Sequence, residues 1–237
     1  SGSTTPGKVT FHHGGVGRNI VECIAKLGQT GTLFVSLVGD DALGGEIVAS
    51  VKSWGLPTRG IKVCKGHATP TVACCFDNIG NLSSGVADTG TIETLLDEQW
   101  VSQFRGDIAN ARVVLLEGNL SPGVLGSCAT MASEAGVPVF YEPVSVSKAI
   151  RIVPFLPHVS YMSPNVAELE AIASSLIKRE GLNTPSRPGE MTLAESAEHV
   201  LHKHSTSGVR HLIVTRGSDG VMVFSKQNGS KQTKVDS

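Results

Sequence analysis

The chain has 237 residues, 40% of them hydrophobic and 17% charged, with a formal net charge of −1. That balance suits one large α/β domain over residues 1–237, offers no bulk attraction for nucleic acid or an anionic membrane, and includes no apolar run near the ~18 residues of a bilayer span. Five cysteines, an odd number without a C-x-x-C spacing, argue against a disulfide framework and for a reduced, intracellular and cytoplasmic setting.

All five cysteines are expected as packing residues, with the neighbours Cys74 and Cys75 on opposite sides of one strand. No signal peptide is visible, and the first residue is Ser rather than Met, as expected after processing or truncation.

Residues 2–8 (GSTTPGK) nearly spell a phosphate-binding P-loop. Val9 replaces the Ser/Thr that would reach a metal, Pro6 stiffens the loop and no strand precedes it, so the match is read as coincidence. Residues 14–19 (GGVGRN) precede a helical pattern. Residues 32–40 (TLFVSLVGD) read as a buried strand and 42–55 as a helix ending at Gly55.

From 56 to about 90 the alternation changes. Three β-like runs, TRGIKVCK, TPTVACCFD and NLSSGVAD, follow without a helix, the last two joined by the turn NIGN. Such an insertion reads as a small antiparallel lid beside a ligand site. The alternation then resumes: strand 111–118, helix 121–136 with Ser121 as N-cap and Pro122 at N1, strands 137–143 and 158–165, a helix from 166, a helix within 194–205, and strands 209–217 and 220–226. Strands alternating with helices imply a mostly parallel sheet with helices on both faces. Residues 183–190 read as a surface loop and the polar tail 225–237 as a mobile one.

The glycines of GGVGRN raise the chemical question. Backbone without Cβ at a helix start lets N–H groups approach an anion or polar ligand. A dinucleotide fold would use Gly15, Gly17 and an acid such as Asp40, but the last glycine of that fingerprint falls on Ile20. A sugar fits better, because the amide of Asn19 both donates and accepts, as vicinal hydroxyls require. A helix cap is the structural alternative for Asn19.

The stretch GGVGRNIVECIAKLG followed by VSLVGDDALGGEI resembles the first signature of the ribokinase-like (PfkB) carbohydrate kinases. Val21 stands where that family usually has a small residue. MSPNVAELE is similar to its N-x-x-E motif, and IVTRGSDGVMVF to its strand–glycine–strand nucleotide segment. LLEGNLS and FYEPVSVSKA resemble pseudouridine kinases within the superfamily.

The resemblance implies ATP-dependent phosphorylation of a nucleoside 5′-hydroxyl, most specifically that of pseudouridine, with ATP and Mg²⁺ as cofactors. Another sugar or nucleoside kinase, or a non-catalytic piece of the fold, is the alternative. The implied substrate-binding residues are Gly14, Gly15, Asn19, Glu117, Asn119 and the lid residue Thr71. Asn165, Thr215, Gly217 and Gly220 would border ATP, and Glu168 would serve Mg²⁺ through water. A homodimer through the lid is the implied assembly, with no nucleic-acid or membrane partner.

The family's catalytic Asp lies in a G-A-G-D motif, which does not occur here. The resemblance therefore implies the middle of a kinase, with the first strand before Ser1 and the base beyond Ser237. A polypeptide limited to these residues is expected to be inactive and poorly soluble. His12 and His13 precede the glycine turn. His199, His202 and His204 share a helix without an evident third metal ligand and read as a solvated face.

Overall fold

A computed structural model of the chain describes residues 7–182, 189, 191–203, 207–226 and 233–236. The near-P-loop residues 2–6, most of the expected loop 183–190, and His204 lie outside the described residues.

Helix α1 (Val16–Lys26) starts behind Gly15, whose φ of 95° is the left-handed conformation that glycine adopts without strain. Strand β1 (Ser36–Gly39) follows, then helix α2 (Ala42–Ser53), capped by the Asp41 carboxylate on the Gly44 N–H. Strand β2 (Ile61–Cys64) pairs in parallel with β1. The first of the three β-like runs therefore belongs to the α/β body. Only the other two, β3 (Thr71–Phe76) and β4 (Leu82–Asp88), form the separate antiparallel sheet. Asp77 organises their turn by accepting from the Ile79 and Asn81 N–H groups.

Three short helices, α3 (Gly90–Leu95), α4 (Glu98–Ser102) and α5 (Arg105–Ala109), lead into the main alternation. It runs β5 (Val114–Glu117), α6 (Pro122–Glu134), β6 (Val139–Glu142), α7 (Val146–Ala149) continued by a 3₁₀ segment to His158, β7 (Tyr161–Met162), α8 (Val166–Arg179), α9 (Leu193–Glu198) and β8 (His211–Thr215). Strands β9 (Val221–Lys226) and β10 (Thr233–Asp236) complete a six-stranded sheet of order β10-β9-β8-β7-β6-β5. β5 to β8 are parallel, and β8, β9 and β10 run antiparallel in turn. The tail expected as a mobile loop thus contributes the end of one strand and all of another. Its polar composition hid them because a hairpin edge needs few apolar residues.

Alternation along the strands sets the core. Val139, Tyr141, Met162, Leu212, Val214 and Phe224 are buried against Leu125, Ala129, Leu169, Ile172 and Leu176 of α6 and α8. The opposite face carries a half-buried row in which Phe140 stacks on Tyr161 and Tyr161 on His211, with ring centroids 6.3 and 5.2 Å apart.

A second core of Val21, Val38, Val51, Leu56 and Ile61 holds α1 and α2 on the β1–β2 pair. β1 and β5 are not paired with each other. Residues of both line one cavity of about 1600 Å³.

The cysteines divide. Cys64 and Cys128 are buried, and burial pushes the Cys128 thiol up to about 12. Cys23, Cys74 and Cys75 are exposed, which corrects the packing expectation. β3 is exposed on both its faces, so neither Cys74 nor Cys75 finds a core to enter. The solvated histidine face is also corrected. After Glu198 the helix widens into a π-turn over His199–Lys203, leaving both His199 and His202 half-buried.

Candidate active site

Gly14, Gly15, Asn19, Thr71, Glu117 and Asn119, six residues from three separate segments, line this cavity. A side chain at Gly14 would meet nothing within 4 Å, so the turn opens onto free space rather than onto protein. At Gly17 a Cβ would make ordinary contacts, 3.5 Å from the Phe34 ring and 3.8 Å from Glu117 Cγ, so α1 packs beside the end of β5.

Arg18 shapes this turn. It is 8% exposed, its Nε donates to the Gly14 carbonyl at 2.9 Å, and one terminal nitrogen donates to the His13 carbonyl at 2.9 Å and to Asn19 Oδ1. Its other terminal nitrogen is paired with Glu22 at 2.9 Å. Asn19 itself is exposed, its Oδ1 taken by Arg18.

The adjoining wall is built at the C-terminal ends of β5 and β6, where Glu117 and Glu142 are register partners. Open parallel sheets bind ligands at these strand ends. Asn119 Nδ2 donates to Glu117, and Lys148 Nζ donates to Asn119 Oδ1. Arg151 donates to the carbonyls of Gly118, Asn119 and Leu120 and pairs with Glu93 at 2.8 Å. Burial raises the Glu117 carboxyl above its ordinary 4.5, with Asn119 and Lys148 opposing and Glu142 reinforcing the shift.

Asn165, Thr215, Gly217, Gly220 and Glu168 lie outside this cavity. Asn165 and Glu168 form a reciprocal cap on α8: Glu168 N–H donates to Asn165 Oδ1, and Asn165 N–H donates to Glu168 Oε2, both at 2.9 Å. Glu168 is only 4% exposed, and burial followed by repulsion from Glu142 raises its carboxyl. Asn165 and Thr215 are joined in a parallel bridge. Gly217 and Gly220, with φ of 60° and 81°, turn the chain into β9 and have open space where a Cβ would be. The residues expected to border ATP thus lie at the ends of β7 and β8.

Glu142 connects the two groups. It accepts from Ser163 Oγ and from the Val144 N–H, and it raises both Glu117 and Glu168. Val144 takes a φ of 69°, the left-handed region that a β-branched residue rarely adopts. Sequence reading missed Arg18, Glu142, Lys148 and Arg151. The available signal was position: Glu142 ends a strand as Glu117 does, and Lys148 lies in the quoted FYEPVSVSKA stretch.

The model of the pfkB family of carbohydrate kinases matches residues 1–237. The chain belongs to that family. It is 36% identical over 244 residues to a pseudouridine kinase of Arabidopsis thaliana, covering all of this chain and 62% of that protein. A pseudouridine kinase of Escherichia coli K12 is 28% identical over 92% of this chain and 64% of its own length. The chain therefore spans somewhat under two thirds of these curated relatives. Arabidopsis thaliana ribokinase complexed with ribose and ATP superposes with a TM-score of 0.70 at 23% identity, covering 94% of this chain and 66% of that one, and shares the family fold. Among the described residues no helix is long and apolar enough to cross a membrane.

Proposed function

We propose that the protein transfers the ATP γ-phosphate to the 5′-hydroxyl of a nucleoside, and that the nucleoside is pseudouridine. The observation that carries this reading is the convergence of the glycine turn and Asn19 with Glu117, Asn119 and Thr71 on one cavity. In it, Gly14, Gly15 and Asn19 hold the ribose hydroxyls, and Glu117 and Asn119 hydrogen-bond the sugar or base. Thr71, at the start of β3, belongs to a lid that closes over the nucleoside and excludes water. Asn165 lies near the transferring phosphates, and Thr215, Gly217 and Gly220 border ATP. The 36% identical pseudouridine kinase supports this choice of substrate.

The carboxylates suit Mg²⁺ held through water. Among the described residues no group of three His, Cys, Asp or Glu side chains could enclose a metal, and Mg²⁺ beside phosphates needs only one or two carboxylates. Glu168 and Glu142 are those residues, since the Glu142 charge disfavours ionisation of Glu168 and a cation between them relieves that repulsion. When bound, the ion neutralises charge on the phosphates. The hydroxyl-proton acceptor is not assigned to any residue of this chain, which has no G-A-G-D.

The sheet of β3 and β4 also supports a homodimer. Phe76 and Val86 are 63% and 72% exposed, an apolar display that a second copy would cover.

The test is ATP-coupled phosphorylation by the full-length protein across pseudouridine, uridine, adenosine and ribose. The expected result is the highest kcat/KM with pseudouridine. Preference for another nucleoside or ribose sinks the substrate assignment, and no phosphorylation of any acceptor sinks the kinase reading.

A further inference from the structure

We infer that Lys148 is a specificity-determining residue, donating to a carbonyl oxygen on the base of the bound nucleoside while Glu117 accepts from the adjacent ring N–H. This rests on the nucleoside-kinase reading of the cavity. The argument begins with hydrogen-bond capacity. A lysine ammonium has three N–H donors, and Nζ of Lys148 gives one of them to Asn119 Oδ1. The Asn119 amide is held at both ends, its Nδ2 by Glu117, so it is a strut between the two charged groups. What this wall presents to a ligand is an acceptor, Glu117, and a cationic donor, Lys148, both lining the cavity.

The other cations of the cavity are Arg18 and Arg112. Arg18 is consumed by Gly14, His13, Asn19 and Glu22. Arg112 precedes β5, five residues from Glu117 and hence about 16 Å away along an extended chain.

The pair is held rigidly. A Cβ on Gly118 would lie 2.2 Å from the Pro143 carbonyl oxygen and 3.2 Å from Lys148 Cβ, so the absence of a side chain lets the lysine segment close on the β5 end. Arg151 fixes the same loop through three successive carbonyls. Preorganised charges of opposite sign select a ligand edge with a donor beside an acceptor. A lactam supplies that edge with a charge-rich oxygen and a comparatively acidic N–H, each suited to a charged partner. A ribose hydroxyl does not need the cation.

Binding to the full-length protein by calorimetry tests the assignment, with pseudouridine, adenosine and ribose as probes and each variant's Tm measured alongside. K148M is expected to weaken pseudouridine by about 10- to 100-fold, as loss of a hydrogen bond from a charged donor does, with ribose unchanged within about twofold. K148Q, which removes the charge but keeps a polar side chain, shows the same loss restricted to the base and carries the test if K148M does not fold.

A change below about threefold for pseudouridine in the folded variants overturns the inference. So does an equal loss for ribose, which makes Lys148 a holder of the loop. An equal loss for adenosine overturns the lactam assignment. Wild-type protein that binds no nucleoside overturns the functional reading itself, an outcome separate from any variant pattern.

Discussion

Gly44 and Gly45 are consecutive residues of α2, and their substitution by alanine should have opposite effects. Both gain the same helix propensity, about 1 kcal/mol for glycine to alanine in a helix interior. A Cβ on Gly45 would meet nothing within 4 Å, so G45A keeps that gain. A Cβ on Gly44 would lie 2.3 Å from the Gly39 carbonyl oxygen, 2.9 Å from Thr69 Oγ1 and 3.2 Å from Val38 Cβ. The nearest atom is backbone at the end of β1, and no rotamer change relieves it.

Overpacking of this kind costs typically 1–3 kcal/mol. Because the propensity gain cancels between the two variants, their difference in stability isolates that steric cost. At 2–4 °C per kcal/mol for a chain of this size, G45A should melt above G44A by about 2–12 °C. Differential scanning calorimetry on the wild type and both variants measures it.

The same contact reaches the cavity. Thr69 donates its N–H to Asp41 and its hydroxyl to the same carboxylate, and Thr71 begins β3 two residues later. G44A should therefore also raise KM for the nucleoside, and G45A should not. Equal stabilisation by both substitutions would refute the packing of α2 on β1.

G118A should lose about 1–3 kcal/mol from its 2.2 Å approach to the Pro143 carbonyl, with nucleoside affinity falling alongside Tm. Arg151→Met should accelerate hydrogen exchange of the amides at 118–120, because three carbonyl contacts and the Glu93 pair are removed together. N165A should cost α8 about 0.5–2 kcal/mol through its lost cap, read by urea denaturation.

E142Q tests the carboxylate row by its pH profile. Glu117 and Glu168 are raised in the folded protein, so it binds more protons than the unfolded chain above pH 4.5 and stability falls as pH rises through the folded values. Removing Glu142's charge should flatten that slope and add up to about 1 kcal/mol, or 2–4 °C, at pH 7. An unchanged slope would show that Glu142 does not couple to the others.

Legibility in the sequence followed the range of the interaction. Ser121, Pro122 and the alternation of β6 are local signals, and α6 and the core appear where the pattern places them. The glycine turn was legible because glycines directly before a helical pattern mark backbone that needs positive φ or close approach, as at Gly15. The partner of β2 was not legible: TRGIKVCK reads as a strand, but pairing with β1 depends on Gly60 packing against the Phe34 carbonyl, where a Cβ would come within 2.3 Å. Roles set by contact across the fold were equally hidden. Glu168 looks like a site acid or a helix-surface acid in sequence, and only its 4% exposure beside a cap and Glu142 distinguishes it from a solvated residue.

The same long-range geometry explains how one sheet edge can serve two ligands. Glu117, Glu142 and Asn165 follow one another across the ends of β5, β6 and β7, and Asn165 bridges to Thr215 on β8. Adjacent strands are about 4.8 Å apart, so the span from Glu117 to Thr215 is roughly 14 Å along the sheet. On the proposed function, that spacing is the separation between a sugar at the α1 side and phosphates at the α8 side of one row. Glu142 sits between them with its carboxylate fixed by Ser163 and the Val144 amide. The charge of Glu142 therefore bears on both Glu117 and Glu168. Nucleotide-bound cation that quiets Glu142 and Glu168 would also ease the ionisation of Glu117, so nucleoside affinity should rise when Mg²⁺ and a non-hydrolysable ATP analogue are both present. Calorimetric titration of nucleoside with and without that pair measures the coupling, and equal affinities in the two titrations would show that the row does not transmit charge.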